Sequence, residues 1–553
     1  MTENEKYLEW KEFVRDEELS SDLMKVDGNE EEIFDRFYRS LEFGTAGLRG
    51  VLGAGTNRMN IYTVRQATQG LAAYLNAHKE GASVAIAYDT RHNSEKFAKE
   101  AACVLVANGI KVWLYDAPAP TPMLSYAVRE RYCDAGIVIT ASHNPAKYNG
   151  YKVYGSDGCQ ISPDVAKEIL AVIDKTDVLR GAVTSDFETA VSEKKIILIP
   201  DSFWRRYYAR VLQEGVDKEN HAKNELTIVY TPLNGTGAIP VVTTLSLAGF
   251  GNIEMVHEQE KPDGAFPTCP FPNPELREAL ALALKKAEET GADLVLATDP
   301  DADRVGIASR EKDGFRLFTG NEVGALLLDF IASAREENGT MPENPVAVRS
   351  LVSTKLADAV AAGHGIEMKS VFTGFRFIGK VIADLEAIEQ PERFIFGFEE
   401  SCGYLSGTYV RDKDAVDASL LICEAANFWK MRGKTLGEAL AEIQAKYGYY
   451  HDFQDNFYCE GADGAKRIAK IMSDLREEAP KAVCGKAVVS AKDYKPDANM
   501  IEYTLEGGSS FIVRPSGTEP KLKIYYSVKA ADFEAAKAEG EAIKAEVTAM
   551  LGF

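Results

Sequence analysis

Short apolar runs alternate along this chain with longer amphipathic stretches. Val84–Ala87, Lys111–Leu114, Gly136–Ile139, Leu226–Tyr230, Leu294–Ala297 and Phe394–Phe396 read as strands. Apolar residues recur at helical spacing in Thr63–His78, Ser94–Ala107, Pro274–Glu289, Asn321–Glu336, Ala415–Met431 and Leu436–Tyr447. Such alternation predicts layered α/β domains. We place the first at residues 1–200, the second at 201–315 and the third at 316–445. The last, 446–553, contains a turn rich in charged residues and ends in an Ala/Lys/Glu-rich helix. No short-period repeat or low-complexity tract interrupts the pattern.

Composition narrows the picture. Of 553 residues, 45% are hydrophobic and 27% charged, as in an ordinary globular protein. A net charge of -21 argues against general nucleic-acid binding, which needs a basic face. The N-terminal segment is charged and lacks an apolar signal core, and no run reaches the roughly 18 apolar residues of a membrane span. Eight scattered cysteines without a CxxC pair fit reduced, mostly buried thiols in a cytoplasm.

Four loops carry candidate chemistry. In ITASHNPAKYNGYK an apolar strand runs into a loop stiffened by Asn144-Pro145, which presents Ser142 and His143 with Lys147 and Lys152 close behind. Taken alone, a plain strand-to-turn connection explains these residues as well as a serine that carries phosphate. In LVLATDPDADRVG, Asp299, Asp301 and Asp303 stand at alternate positions before Arg304. In an extended loop alternate residues point the same way, so the carboxylates can converge on a hard cation, magnesium or calcium rather than zinc. An EF-hand is excluded: Arg304 and Arg310 occupy the positions that need glycine and glutamate, and a strand precedes the loop.

FIVRPSGTEPKLKIYY predicts a strand, the loop Arg514-Pro515-Ser516-Gly517-Thr518 and a second strand holding Lys523. Forked guanidinium donors, hydroxyls and free N–H groups near glycine favour a phosphate. In IFGFEESCGY, Glu399 and Ser401 suit sugar hydroxyls, and a surface acidic pair explains them equally well.

TASHNP, DPDADR, GFEES and RPSGTEPK, in that order, resemble the four active-site loops of the α-D-phosphohexomutase superfamily, the phosphoglucomutases and phosphomannomutases. FGTAGLRG, YDTRHNS, PLNGTG, PDGAFPTCPFPNPE and TGNE extend the resemblance over nearly the whole chain from Glu42. FGTAGLRG and YNGYKVYGSDG are most similar to bacterial members near the phosphoglucomutase-2 and phosphopentomutase branch. One departure lies in TGFRFIG, where Arg376 stands at a position usually held by lysine.

The resemblance implies three similar α/β domains and a C-terminal α+β domain around a central cleft. It implies a phosphoserine at Ser142 and Mg2+ held by Ser142, Asp299, Asp301 and Asp303. The expected reaction interconverts glucose 1-phosphate and glucose 6-phosphate through glucose 1,6-bisphosphate, with mannose or pentose phosphates as alternative substrates. Lys152, with Arg49, is the candidate for proton transfer at the sugar hydroxyl, and His143 orients the loop or contacts the phosphate. Arg304, Thr373, Gly374, Arg376, Glu399, Ser401 and Lys413 are expected at the sugar, and Arg514, Ser516, Gly517, Thr518 and Lys523 at the distal phosphate. Cys402, inside the sugar loop, is expected to confer sensitivity to thiol reagents. The partner is a small sugar phosphate rather than nucleic acid or membrane, and the protein is expected to be a monomer or homodimer.

Overall fold

The computed structural model describes residues 1–44, 47–217, 223–459, 461–516 and 521–553, with backbone alone at 461 and 462. Four sheets account for the strands in this description. The first has six strands in the spatial order Leu48–Val51, Tyr148–Gly155, Ala135–Ile139, Ser83–Tyr88, Lys111–Leu114 and Ile196–Leu198. The second orders Gly314–Phe318, Val305–Glu311, Leu294–Thr298, Ile228–Thr231 and Ile253–Met255. The third orders Glu367–Val371, Val346–Ser350, Phe394–Glu399 and Gly403–Leu405.

These three sheets repeat one device. Each contains a run of parallel strands, and the third of these in chain order passes through a loop into an antiparallel return strand. The returning loops are 140–147, 299–304 and 400–402. They contain the serine, the aspartates and the second acidic motif, so the topology delivers all three loops in the same way. Ala135–Ile139 and Leu294–Thr298 are buried at every position, as strands covered on both faces must be.

The fourth sheet is antiparallel, ordered Tyr449–Tyr458, Lys521–Ala530, Ser510–Pro515, Ile501–Leu505, Lys486–Asp493 and Ala482–Val483. The C-terminal helix Phe533–Met550 packs on it through Ile543 and Val547. A single apolar core runs continuously from the first sheet through the second into the third. The fourth domain keeps a smaller core of its own.

Three N-terminal helices, Glu3–Phe13, Glu17–Lys25 and Glu30–Phe37, form an added layer on the first domain. Trp10 is 1% exposed and meets the Tyr62 ring edge-on at 5.6 Å. Asp22 accepts the Ala54 N–H at 2.8 Å and pairs with Arg36, tying this layer to the segment after Leu48–Val51.

The predicted helix at Pro274–Glu289 is shorter than its periodicity suggests. Asn273 to Leu280 form successive i→i+3 turns, and the helix itself spans Ala281–Thr290. Glu275 is drawn instead into an ion pair with Arg304 at 3.0 Å, while Gly306 packs against the Pro274 carbonyl so closely that a Cβ would approach it to 2.1 Å. Leu226 likewise lies outside the strand predicted to begin there, which runs Ile228–Thr231. Among the described residues, no helix is long and apolar enough to cross a membrane.

Candidate active site

Ser142 has a left-handed backbone, φ +53°, which a non-glycine residue adopts at a cost of about 1–3 kcal/mol. The loop holds it there with an internal cation. The fully buried Arg91 guanidinium donates to the carbonyls of Ser142, Asn144, Pro145 and Tyr148, and its own charge faces Asp89 at 3.2 Å. The Ser142 N–H donates to Thr140 Oγ1 at 2.8 Å. Its hydroxyl then donates to Asp299 Oδ2 at 2.9 Å and lies 3.1 Å from His143 Nδ1. Burial, with Arg304 and Arg49 nearby, pushes the His143 imidazole well below its usual range, so it is neutral at neutral pH.

The three aspartates converge, but not through an extended strand. Asp299 N–H donates to the Arg304 carbonyl, Val305 pairs back to Thr298, and Ala302 has φ +47°, so the loop is a tight hairpin. All three carboxyls are buried, and one oxygen of each lies within 4.8 Å of the others. Each is anchored differently. Asp299 Oδ1 accepts the N–H groups of Asp303 and Arg304, both at 3.1 Å. Asp301 Oδ2 accepts from Lys152 Nζ and from Thr121 Oγ1, both at 3.0 Å. Asp303 Oδ2 faces Lys413 Nζ at 3.1 Å.

Asp301 Oδ1 and Asp303 Oδ1 are buried without a hydrogen bond. Burial and mutual repulsion push Asp299 well above the usual carboxylate range. Burial also opposes ionisation of Asp301, but Lys152 holds its carboxyl well below that range. An all-oxygen donor set with two orphaned buried oxygens fits a hard divalent cation of the magnesium type.

Around this cluster lies a ring of cations. Lys413 is buried between Asp303 and Asp412, and its stem passes so close to Gly403 that a Cβ there would lie 2.0 Å from Cδ. Arg304 pairs with Glu275, and Arg49 donates to Asn144 Oδ1 at 3.2 Å from the strand opposite Gly150. Gly47, just before that strand, has φ +94°, and a Cβ would come within 1.9 Å of the Tyr151 carbonyl.

In the third domain Glu399 ends its strand and accepts the Gly374 N–H at 2.6 Å; Thr373 Oγ1 beside it is buried without a partner. Glu400 accepts from Ser350 Oγ at 3.1 Å, and burial plus repulsion from Glu399 push its carboxyl up to about 7. Ser401 follows in the turn, half-buried. Cys402 is 1% exposed and its thiol is pushed up by burial, so the expected reactivity toward thiol reagents is not supported.

In the fourth domain Arg514 lies within the strand Ser510–Pro515 and stands opposite Lys523. Burial pushes the Lys523 ammonium down, with Glu400 opposing. The Ser516 N–H closes the turn on the Lys521 carbonyl at 2.8 Å. Gly517 and Thr518 lie outside the described residues. Arg376 lines a separate cavity whose walls include none of the serine-loop, aspartate or phosphate-turn residues.

Sequence reasoning missed Arg91, Asp89 and Thr121. The signal for the first two was YDTRHNS at the end of Ser83–Tyr88: parallel register pairs Tyr88 with Ile139, which sets that loop beside the serine loop. Nothing local marks Thr121, whose N–H and hydroxyl reach Asp301 from the first domain into the second.

Comparison with known proteins gives a consistent result. Models of the phosphoglucomutase/phosphomannomutase α/β/α domains I, II and III match residues 40–180, 205–314 and 319–447, and the model of the C-terminal domain matches 460–545. The chain is 37% identical over 517 residues to a phosphoglucomutase of Staphylococcus haemolyticus, covering 90% of this chain and 92% of that one. It is 36% identical over 542 residues to a phosphoglucomutase of Staphylococcus epidermidis, covering 94% and 96%. Among solved structures, a phosphoglucomutase/phosphomannomutase family protein from Burkholderia thailandensis superposes with TM-score 0.69 at 19% identity, covering 92% of this chain and 97% of that one. Parafusin from Paramecium, in an open form, superposes with TM-score 0.68 at 18% identity, covering 92% and 94%. At these identities the structural likeness speaks for the fold.

Proposed function

Because the chain belongs to the phosphoglucomutase/phosphomannomutase family, an enzyme family of phosphosugar mutases, we propose that it interconverts glucose 1-phosphate and glucose 6-phosphate. The observation that carries this reading is the Ser142 hydroxyl, 2.9 Å from Asp299 Oδ2 inside the acidic cluster. A serine placed there serves as both donor and acceptor of a phosphoryl group.

In the forward direction the phosphate on Ser142 passes to the free hydroxyl of the bound sugar phosphate. The P–O bond to Ser142 breaks, a P–O bond to the sugar forms, and the hydroxyl proton leaves. The product is glucose 1,6-bisphosphate. After it turns over in the site, its other phosphoryl group returns to Ser142 and the second monophosphate departs. Catalysis of such a transfer is mostly positioning and charge stabilisation.

The three aspartates and the Ser142 phosphate would hold magnesium, which when bound would supply charge neutralisation at the phosphoryl oxygens. Lys152, beside Asp301 and on the strand next to Arg49, is the group assigned to proton transfer at the sugar hydroxyl, accepting the proton as the neutral amine and returning it as the ammonium. His143 and Arg91 fix the loop. Glu399 and Ser401 hold the C3 and C4 hydroxyls, which glucose and mannose share, with Lys413, Arg304, Thr373 and Gly374 around them. Arg514, Ser516, Gly517, Thr518 and Lys523 grip the phosphate that is not reacting. Mannose phosphates are expected as weaker substrates and pentose phosphates as weaker still.

Incubation with glucose 1-phosphate, magnesium and a trace of glucose 1,6-bisphosphate should give glucose 6-phosphate. Free phosphate as the product would make the protein a phosphatase, and no turnover would make it a sensor. In the same assay Ser142→Ala should lose activity by about 10³-fold or more, and peptide mass spectrometry of the native protein should find phosphate on Ser142.

A further inference from the structure

A cavity of about 480 Å³ opens between the first and third domains. Its size falls in the usual range for small-molecule sites, about 300–1,000 Å³. It lies beside Ala135 and Gly155, which pair at the end of their strands remote from the serine loop. One wall is apolar, formed by Tyr74, Leu75, Val153 and Ile161 of the first domain with Phe377 of the third.

The charges around it are unevenly matched. Asp134 is paired with Lys79 and accepts the Ser83 N–H, Asp157 accepts the Cys159 N–H, and Lys380 is paired with Asp384. Arg376 has no ion pair or hydrogen bond among the described residues, and its Nε is buried without a partner. Its guanidinium rests 4.9 Å from the Phe377 ring centre, and burial, unopposed by any carboxylate, disfavours its charge. A half-buried guanidinium facing an apolar wall lacks only an anion.

We propose that this cavity binds a small amphipathic anion, with one carboxylate, sulfonate or phosphate head on Arg376 and an apolar body against Tyr74, Val153, Ile161 and Phe377. The occupant touches two domains at once, next to the Arg129–Glu386 ion pair that already joins them at 2.8 Å. It is therefore a site at which a metabolite other than the substrate ties the first domain to the third.

The test is fluorescence titration of the full chain with 8-anilinonaphthalene-1-sulfonate. One saturable site is expected, with affinity unchanged by saturating glucose 1-phosphate. Arg376→Gln should weaken binding at least about 5-fold, since a charge-assisted contact is lost, while Arg376→Lys restores part of it. Val165→Trp, at a half-buried position on the cavity wall, should abolish binding by filling the space without touching Arg376. The proposal is overturned if the wild type shows no saturable site, if either Arg376→Gln or Val165→Trp binds the probe normally, or if glucose 1-phosphate displaces it.

Discussion

The acidic hairpin and the C-terminal phosphate turn handle charge in opposite ways. At the hairpin, each of three buried carboxyls has a partner within the protein, Lys152 on Asp301, Lys413 on Asp303, and the Ser142 hydroxyl and two N–H groups on Asp299, while Asp301 Oδ1 and Asp303 Oδ1 are left over. At the turn, Arg514 and Lys523 stand side by side, and neither has an ion pair among the described residues. One end is assembled before any ligand arrives. The other leaves Arg514 and Lys523 without an ion pair among the described residues, as a site for an exchanging anion would. The difference suits a reaction in which chemistry happens at one end and recognition at the other.

Substitution at the hairpin should therefore cause the larger losses. Asp301→Asn keeps the shape but removes the charge that Lys152 faces, and turnover should fall by more than about 100-fold, the upper range for loss of a supporting metal contact. Magnesium titration of the variant should show weakened affinity with circular dichroism unchanged; full activity after EDTA treatment would remove the metal from the reaction.

Arg91→Lys keeps the positive charge yet loses the fork that holds four carbonyls. With a charge-assisted hydrogen bond worth about 1.5–3 kcal/mol, kcat should drop about 10–100-fold while KM changes little. Stopped-flow transfer of phosphate from Ser142 separates this positioning defect from a folding defect, which would lower the active fraction and leave the rate of the surviving enzyme intact. At the other end, Arg514→Gln should raise KM and lower kcat together by about 10-fold, because remote binding energy also positions the reacting group. That loss should shrink as salt is added, since the site is partly open.

The smallest effect concerns Glu400, the acidic neighbour of Lys523. Burial and Glu399 raise its carboxyl from 4.5 to about 7. In the folded protein it then holds a proton that the unfolded chain has released, so its favourable contribution is complete below about 4.5 and is lost as pH rises through about 7. Thermal unfolding followed from pH 5 to 8 should show this decline in the wild type and not in Glu400→Gln. Parallel curves would mean that Glu400 ionises normally.

Much of this was legible in the sequence because each loop follows a strong strand signal. Ala135–Ile139, Leu294–Ala297 and Phe394–Phe398 carry no polar side chain, and the residues after them must emerge at the carboxyl end of a buried strand. The pairing of loops was not legible. Arg91 reaches the serine loop only because Tyr88 and Ile139 are neighbours in a parallel pair separated by two helices and another strand in sequence. The aspartates were read as alternating along an extended segment, whereas Ala302 with φ +47° folds them into a hairpin. Helical periodicity at Pro274–Glu289 reflected burial that turns supply equally well until Ala281. Arg376 was read with the sugar contacts by its place in a motif, and only the packing of its helix against the first domain reveals the cavity it borders.

Asp301 is a residue of the second domain whose donors come from the first: the Thr121 N–H and hydroxyl, and the Lys152 ammonium. Cation binding and domain docking are thus two readings of one equilibrium. A metal that bound only the docked arrangement would strengthen the joint by RT ln(1 + [L]/Kd), so the ion would act as a fastener between the domains. Protection of the Thr121 amide against hydrogen exchange then becomes a gauge of metal occupancy, and neither domain expressed by itself should retain the affinity of the whole.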